Sequence, residues 1–98
     1  MAAYMIIIRR DPVRDEGAMA EYQRRTRALP PSARLAPLAI YGNITPLEGA
    51  APDGAIVLEF PSTDEALAWY QSADYQAAIP YRQKAADYDM FIIDGLTR

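Results

Sequence analysis

The sequence predicts an α+β domain over residues 1–98, with a four-stranded antiparallel sheet and two helices packed on one of its faces. Three observations carry this. Four short runs rich in Ile, Val, Tyr and Phe are interleaved with two longer runs whose apolar residues recur at helical spacing. Pro, Gly and Asp clusters punctuate the boundaries between them. The strand-like runs at 4–9 and 55–60 are apolar on both sides, so the sheet needs a cover on each face.

Residues 4–9, with Tyr4 and Ile6 to Ile8, read as the first strand. Asp11-Pro12 ends it, because proline lacks the N–H a ladder needs. A helix is predicted over 13–29, with Met19, Tyr22, Thr26 and Leu29 on one stripe and most of its charges elsewhere. Asp15 and Glu16 near its start and arginines near its end suit the macrodipole, and Pro30-Pro31 stops it. The stretch 35–49 reads as an irregular second strand interrupted at Gly42-Asn43 by a bulge or a tight turn, with Pro46 marking an edge.

Residues 55–60 are nearly continuously apolar and read as a central third strand. Ser62, with Glu65 three residues on, makes a capping box for a second helix whose buried stripe is Ala66, Leu67, Trp69 and Tyr70. Asp74 is expected to cap a further helical piece, which Pro80 kinks or ends. Residues 88–94 are the last strand, closed by Gly95. The order β-α-β-β-α-β is the split βαβ pattern of ferredoxin-like folds. Ile6 and Ile8 lie on one side of the first strand and Met5 and Ile7 on the other, and Ile56, Leu58 and Phe60 lie on one side of the third with Ala55 and Val57 on the other, so the face that no helix covers is apolar as well. A second copy packed sheet to sheet would cover it, so a homodimer is expected.

Composition narrows the chemistry. Leu, Ile, Val and Phe total only 20 of 98 residues, so aromatic residues and Met must supply much of the core. There is no Cys, which removes disulfides, thiol nucleophiles and iron–sulfur clusters. There is no His, which removes imidazole acid–base chemistry and the usual zinc and haem ligands. No cofactor and no metal are expected. The net charge of −3 gives no footprint for nucleic acid, and residues 53–60 lack the stacking aromatics of an RNA-recognition strand. No segment is long and apolar enough to cross a membrane, and no signal peptide is read at the start, so a cytoplasmic location is expected.

The run Glu59-Phe60-Pro61-Ser62, followed by Ala66, Trp69-Tyr70, Ser72, Tyr75-Gln76, Pro80 and Arg82, resembles the small bacterial proteins grouped as domain of unknown function 1330. Ala3-Tyr4, Asp11-Pro12 and Leu47-Glu48-Gly49 fit the same pattern. The resemblance implies the dimeric α+β barrel superfamily. Family members carry a glycine pair, an aromatic and an arginine at the second strand. Here residues 35–42 hold no arginine. The wider superfamily includes monooxygenases, lactone isomerases and dehalogenases, and the fold does not choose among them.

Glu59 follows an apolar run in the expected central strand, and a carboxylate partly withdrawn from water suits a general base. It equally suits a structural ion pair or cap. Arg82, beyond Pro80, suits a bidentate contact to a carboxylate ligand or a pair with Glu59. Trp69, Tyr41 and Tyr75 suit the lining of a pocket for a flat ligand, or simply a core. Two functions follow. One is a homodimer that binds a small organic acid or aromatic ligand without catalysis. The other is a cofactor-independent enzyme, monooxygenase- or isomerase-like, with Glu59 as base and Arg82 as anion anchor. Glu59 and Arg82 are expected to meet at one end of the cleft between helices and sheet.

Overall fold

A computed structural model describes residues 2–28 and 34–96. Its strands are β1 (Ala3–Arg9), β2 (Ala36–Ile40), β3 (Gly54–Phe60) and β4 (Tyr88–Asp94). Its helices are α1 (Glu16–Arg27), α2 (Thr63–Tyr70) and α3 (Ala73–Ala85). The strands form one antiparallel sheet in the order β2-β3-β1-β4, so β3 and β1 are central. This is the predicted ferredoxin-like topology, with the second helical region divided in two.

Strand alternation sets the two faces. Ala3, Met5 and Ile7 of β1 and Leu58 and Phe60 of β3 are buried against the helices. Ala66 of α2 joins Met5, Ile7, Leu58 and Phe60 in one core cluster. Ala18 and Met19 of α1 and Ala85 of α3 form a second. Small residues at these contacts let α1 and α3 approach closely, which helps a chain poor in large aliphatic residues fill its interior.

Several boundaries differ from the sequence expectation. Helix α1 begins at Glu16 because the Asp15 side chain accepts from the Ala18 N–H and caps it. The expected end at Leu29 and Pro30-Pro31 lies outside the described residues. Ser62 caps α2 as expected, accepting from the Glu65 N–H at 3.2 Å. The Glu65 carboxylate turns instead to Arg34, at 2.7 Å. Ser72, not Asp74, caps α3, accepting from the Tyr75 N–H. Pro80 neither ends nor divides α3. It is exposed, so the carbonyl one turn back that it cannot serve faces the solvent side. Leu67, expected in the buried stripe, is exposed.

The second strand is only Ala36–Ile40, with its irregularity between Pro37 and Ala39. Gly42 and Asn43 lie beyond it, outside any strand. Its partner β3 begins at Gly54, opposite the end of β2, so residues past Tyr41 have no neighbouring strand to bond. Among the described residues, no helix is long and apolar enough to cross a membrane.

Candidate functional site

Between α1 and the sheet lies a cleft of about 760 Å³. Its apolar wall includes Ile7 of β1, Ile56 and Leu58 of β3, Met19 of α1 and Trp69 of α2. Pro37 and Ile40 close the side toward the edge strand. The polar groups come from two directions. Tyr22, Gln23, Thr26 and Arg27 project from α1, and Tyr41 projects from the end of β2.

Tyr41 is the only non-glycine among the described residues with a positive φ, 49°. A bulky side chain in the left-handed region carries strain of about 1 kcal/mol or more. Contacts hold it there. Its hydroxyl is hydrogen bonded to that of Tyr88 at 2.8 Å. The Arg9 guanidinium stands 4.8 Å from its ring centre, fixed in turn by Asp53 at 2.8 Å. Its ring lies against Gly54, where an added Cβ would sit 2.7 Å from Tyr41 Cδ1. Gly54 pairs with Arg9, and Arg9 with Tyr88, so one cross-strand row builds this end of the cleft. Gly54→Ala is therefore expected to cost about 2 kcal/mol by overpacking. Urea denaturation checks it, and an unchanged midpoint would mean that the ring moves aside freely.

A second hydroxyl pair comes from the helices. Tyr22 of α1 and Tyr75 of α3 are hydrogen bonded at 2.9 Å. Tyr75 is fully buried, with its ring 4.4 Å from that of Trp69 and 5.7 Å from that of Tyr70. Burial pushes the Tyr22 phenol far up, reinforced by Tyr75 and opposed by Arg82. Burial likewise raises Tyr41, with Tyr88 adding to it and Arg9 opposing. Burial raises Tyr75 as well, against the pull of Tyr22 and Arg82. All three hydroxyls therefore stay protonated near neutral pH.

Arg82 of α3 is only 7% exposed. Its guanidinium lies 5.7 Å from the Tyr88 ring centre, and its Nε has no hydrogen-bond partner. Among the described residues, no carboxylate lies within ion-pair distance of it. Arg82 does not line the cleft itself but, with Tyr88 and Asp87, a smaller cavity of about 260 Å³, where Asp87 is bonded to Arg14 at 3.1 Å. Asp53 is bonded to Arg9. For Arg9 itself, burial opposes the charge, but the neighbouring Tyr88 and Asp53 oxygens outweigh it and raise its pKa.

The family model of domain of unknown function DUF1330 matches residues 2–96. The chain belongs to this family. No curated protein matches the sequence significantly. Among solved structures, this DUF1330 chain is similar to methylated RPA0582, at 17% identity and a TM-score of 0.73, over 98% of this chain and 82% of the other. RPA0582 is described as a protein of unknown function from Rhodopseudomonas palustris. A dimeric protein of unknown function and ferredoxin-like fold from Bacteroides fragilis matches at 15% identity and a TM-score of 0.60, over 96% of each chain. An ethyl tert-butyl ether D family protein from Bacillus halodurans matches at 16% and 0.64, over 98% of this chain and all of the other. At these identities the likeness speaks to fold alone.

Within the DUF1330 chain, the residues singled out from sequence fall into two groups. Trp69 and Tyr41 line the cleft, Tyr75 stands behind them, and Arg82 lies close to Tyr75 and Tyr22. Glu59 is elsewhere. It pairs with Tyr4 and Ala36, and the alternation that turns Leu58 and Phe60 inward turns Glu59 to the open sheet face. Glu59 and Arg82 thus lie on opposite sides of the sheet and do not share one end of the cleft. Tyr22, Arg9 and Tyr88 are not among the site residues that the sequence singles out. Their signal was modest. Tyr22 sits on the inward stripe of α1, and a buried tyrosine hydroxyl needs a partner.

Proposed function

We propose that this protein is a cytoplasmic homodimer, an α+β barrel spanning the chain, and that each protomer holds a small organic acid in its helix–sheet cleft without catalysis. Arg82 is the anion anchor, and Trp69, Tyr41 and Tyr75 form the aromatic lining. The observation that carries the ligand reading is a buried arginine with no carboxylate of its own among the described residues, lining a smaller cavity behind the tyrosines of a largely apolar cleft. A buried cation without a counter-charge is costly, and a bound anion relieves it. The dimeric description of similar structures and the apolar open sheet face support the dimer.

Binding is favoured over catalysis because Glu59 stands across the sheet from this cleft and its tyrosines are held protonated. Among the described residues, the cleft thereby offers hydrogen-bond donors but no ready base. Thermal shift with a panel of aromatic and alicyclic carboxylic acids tests this. Acids should raise the melting temperature of the parent and not that of Arg82→Gln. Without acid, Arg82→Gln should melt at or above the parent, since it loses no ion pair. A large drop in its melting temperature with no acid response in the parent would make Arg82 purely structural.

A further inference from the structure

We propose that the polar end of the cleft is a carboxylate site built from two tyrosine pairs and Arg82, and that its ligand is a monocarboxylic acid with a flat apolar body. This rests on reading the cleft as a ligand site, and it assigns binding roles to Tyr22 and Tyr88.

The argument is a count of protons. In each pair, Tyr22 with Tyr75 and Tyr41 with Tyr88, two hydroxyls share one hydrogen bond. Only one of the two protons is consumed, so each pair keeps one unused donor. Among the described residues, no other acceptor takes a proton from these hydroxyls; Arg9 beside Tyr41 and Tyr88 can only donate to their oxygens. The nearest charged groups are Arg82 beside one pair and Arg9 beside the other, and guanidinium cannot accept a hydrogen bond. Arg82 Nε is a third unused donor, and it is buried. One member of each pair, Tyr22 and Tyr41, lines the cleft. The site is rich in donors and short of acceptors. A carboxylate has two oxygens and no proton, so each oxygen can take the spare donor of one pair.

Charge selects the same ligand. Arg9 is neutralised by Asp53, and Asp87 is spent on Arg14. Among the described residues two arginines near the cleft have no ion pair: Arg27 on its lining is exposed to water, and Arg82 is buried, so one negative charge balances the buried end of the cleft. A primary amide would turn its NH2 toward donors and leave Arg82 without a counter-charge. A dianion would bring a second charge for which only Arg27, already hydrated on the exposed side of α1, remains among the described residues. The rest of the cleft, with Ile7, Ile56, Leu58 and Trp69, suits an apolar body.

Trp69 is the sole tryptophan and lines the cleft, so its fluorescence reports occupancy. The test titrates phenylacetate and 3-phenylpropionate, and the primary amide of each, into the parent and into the Tyr22→Phe/Tyr41→Phe double variant. Both acids should bind the parent at least tenfold more tightly than their amides. In the double variant the remaining donors, Tyr75 and Tyr88, sit behind the lining. Acid affinity should fall about tenfold there while amide affinity stays unchanged. Equal binding of acid and amide to the parent overturns the head-group assignment and leaves the cleft reading standing. So does undiminished acid binding in the double variant. Failure of both acids and amides to perturb Trp69 overturns both. Should the double variant not fold, the acid-to-amide ratio in the parent still decides.

Discussion

Tyr75→Ala is expected to lower stability by about 4 kcal/mol, the largest loss from any single truncation in the helix layer. Tyr75 is fully buried at the first turn of α3, and its ring touches those of Trp69, Tyr70 and Tyr22. Removing it opens a cavity that three aromatic neighbours cannot fill without leaving their rotamers. Tyr75→Phe separates packing from hydrogen bonding. It keeps the ring, loses the bond to Tyr22, and should cost about 1 kcal/mol. Urea denaturation at one fixed protomer concentration measures both, since association contributes to apparent stability. Equal losses in the two variants would mean that the hydroxyl pair, not the aromatic cluster, holds α3 to α1.

The same residue shows what the sequence could and could not tell. Tyr75 sits at helical spacing from Ala78, Ile79 and Arg82, so its burial follows from periodicity alone. Its partner hydroxyl comes from α1, more than fifty residues earlier, and only the packing of α1 on α3 brings the two together. The fold itself was readable because its signals are local. The apolar run ending at Phe60 marks a strand covered on both sides, and Ser62 marks a helix start by its own hydrogen bond. The edge strand was not, because its length depends on where β3 begins, and nothing near Gly42 encodes that.

The position of Glu59 is set locally, by the alternation of β3. If Ile56, Leu58 and Phe60 share a face, Glu59 takes the other, while Arg82 belongs to the helix layer. The two-residue period of the strand therefore separates Glu59 from Arg82, however near the two lie in chain topology. For Arg9, Tyr88 and Gly54 no such shortcut existed. They meet only because strand register aligns them in one row, and that row supports Tyr41 in its left-handed turn.

Phe91→Arg is expected to convert a dimer into a monomer. On the open face, Val57, Ile6 and Phe91 form one cross-strand row, and Glu59, Tyr4 and Ile93 form the next. Phe91 is 48% exposed and Ile93 53% exposed in the single protomer. Neighbouring apolar side chains on a sheet face are a patch that water disfavours, and a second sheet removes it. A guanidinium at the β4 end of this row must be desolvated if the two sheets still meet, without a counter-charge in its own row. That penalty is several kcal/mol, enough to raise the dissociation constant by about three orders of magnitude. Light scattering coupled to size exclusion at micromolar protomer should give a dimer mass for the parent and a monomer mass for the variant. Glu59→Gln is the informative companion. Glu59 lies on the same face and carries its charge into any interface formed there, so the neutral amide should hold the dimer about tenfold more tightly. A monomeric parent would remove the dimer altogether. A dimeric parent that both substitutions leave untouched would move the interface to another surface and return the open face, with Glu59 on it, to the solvent.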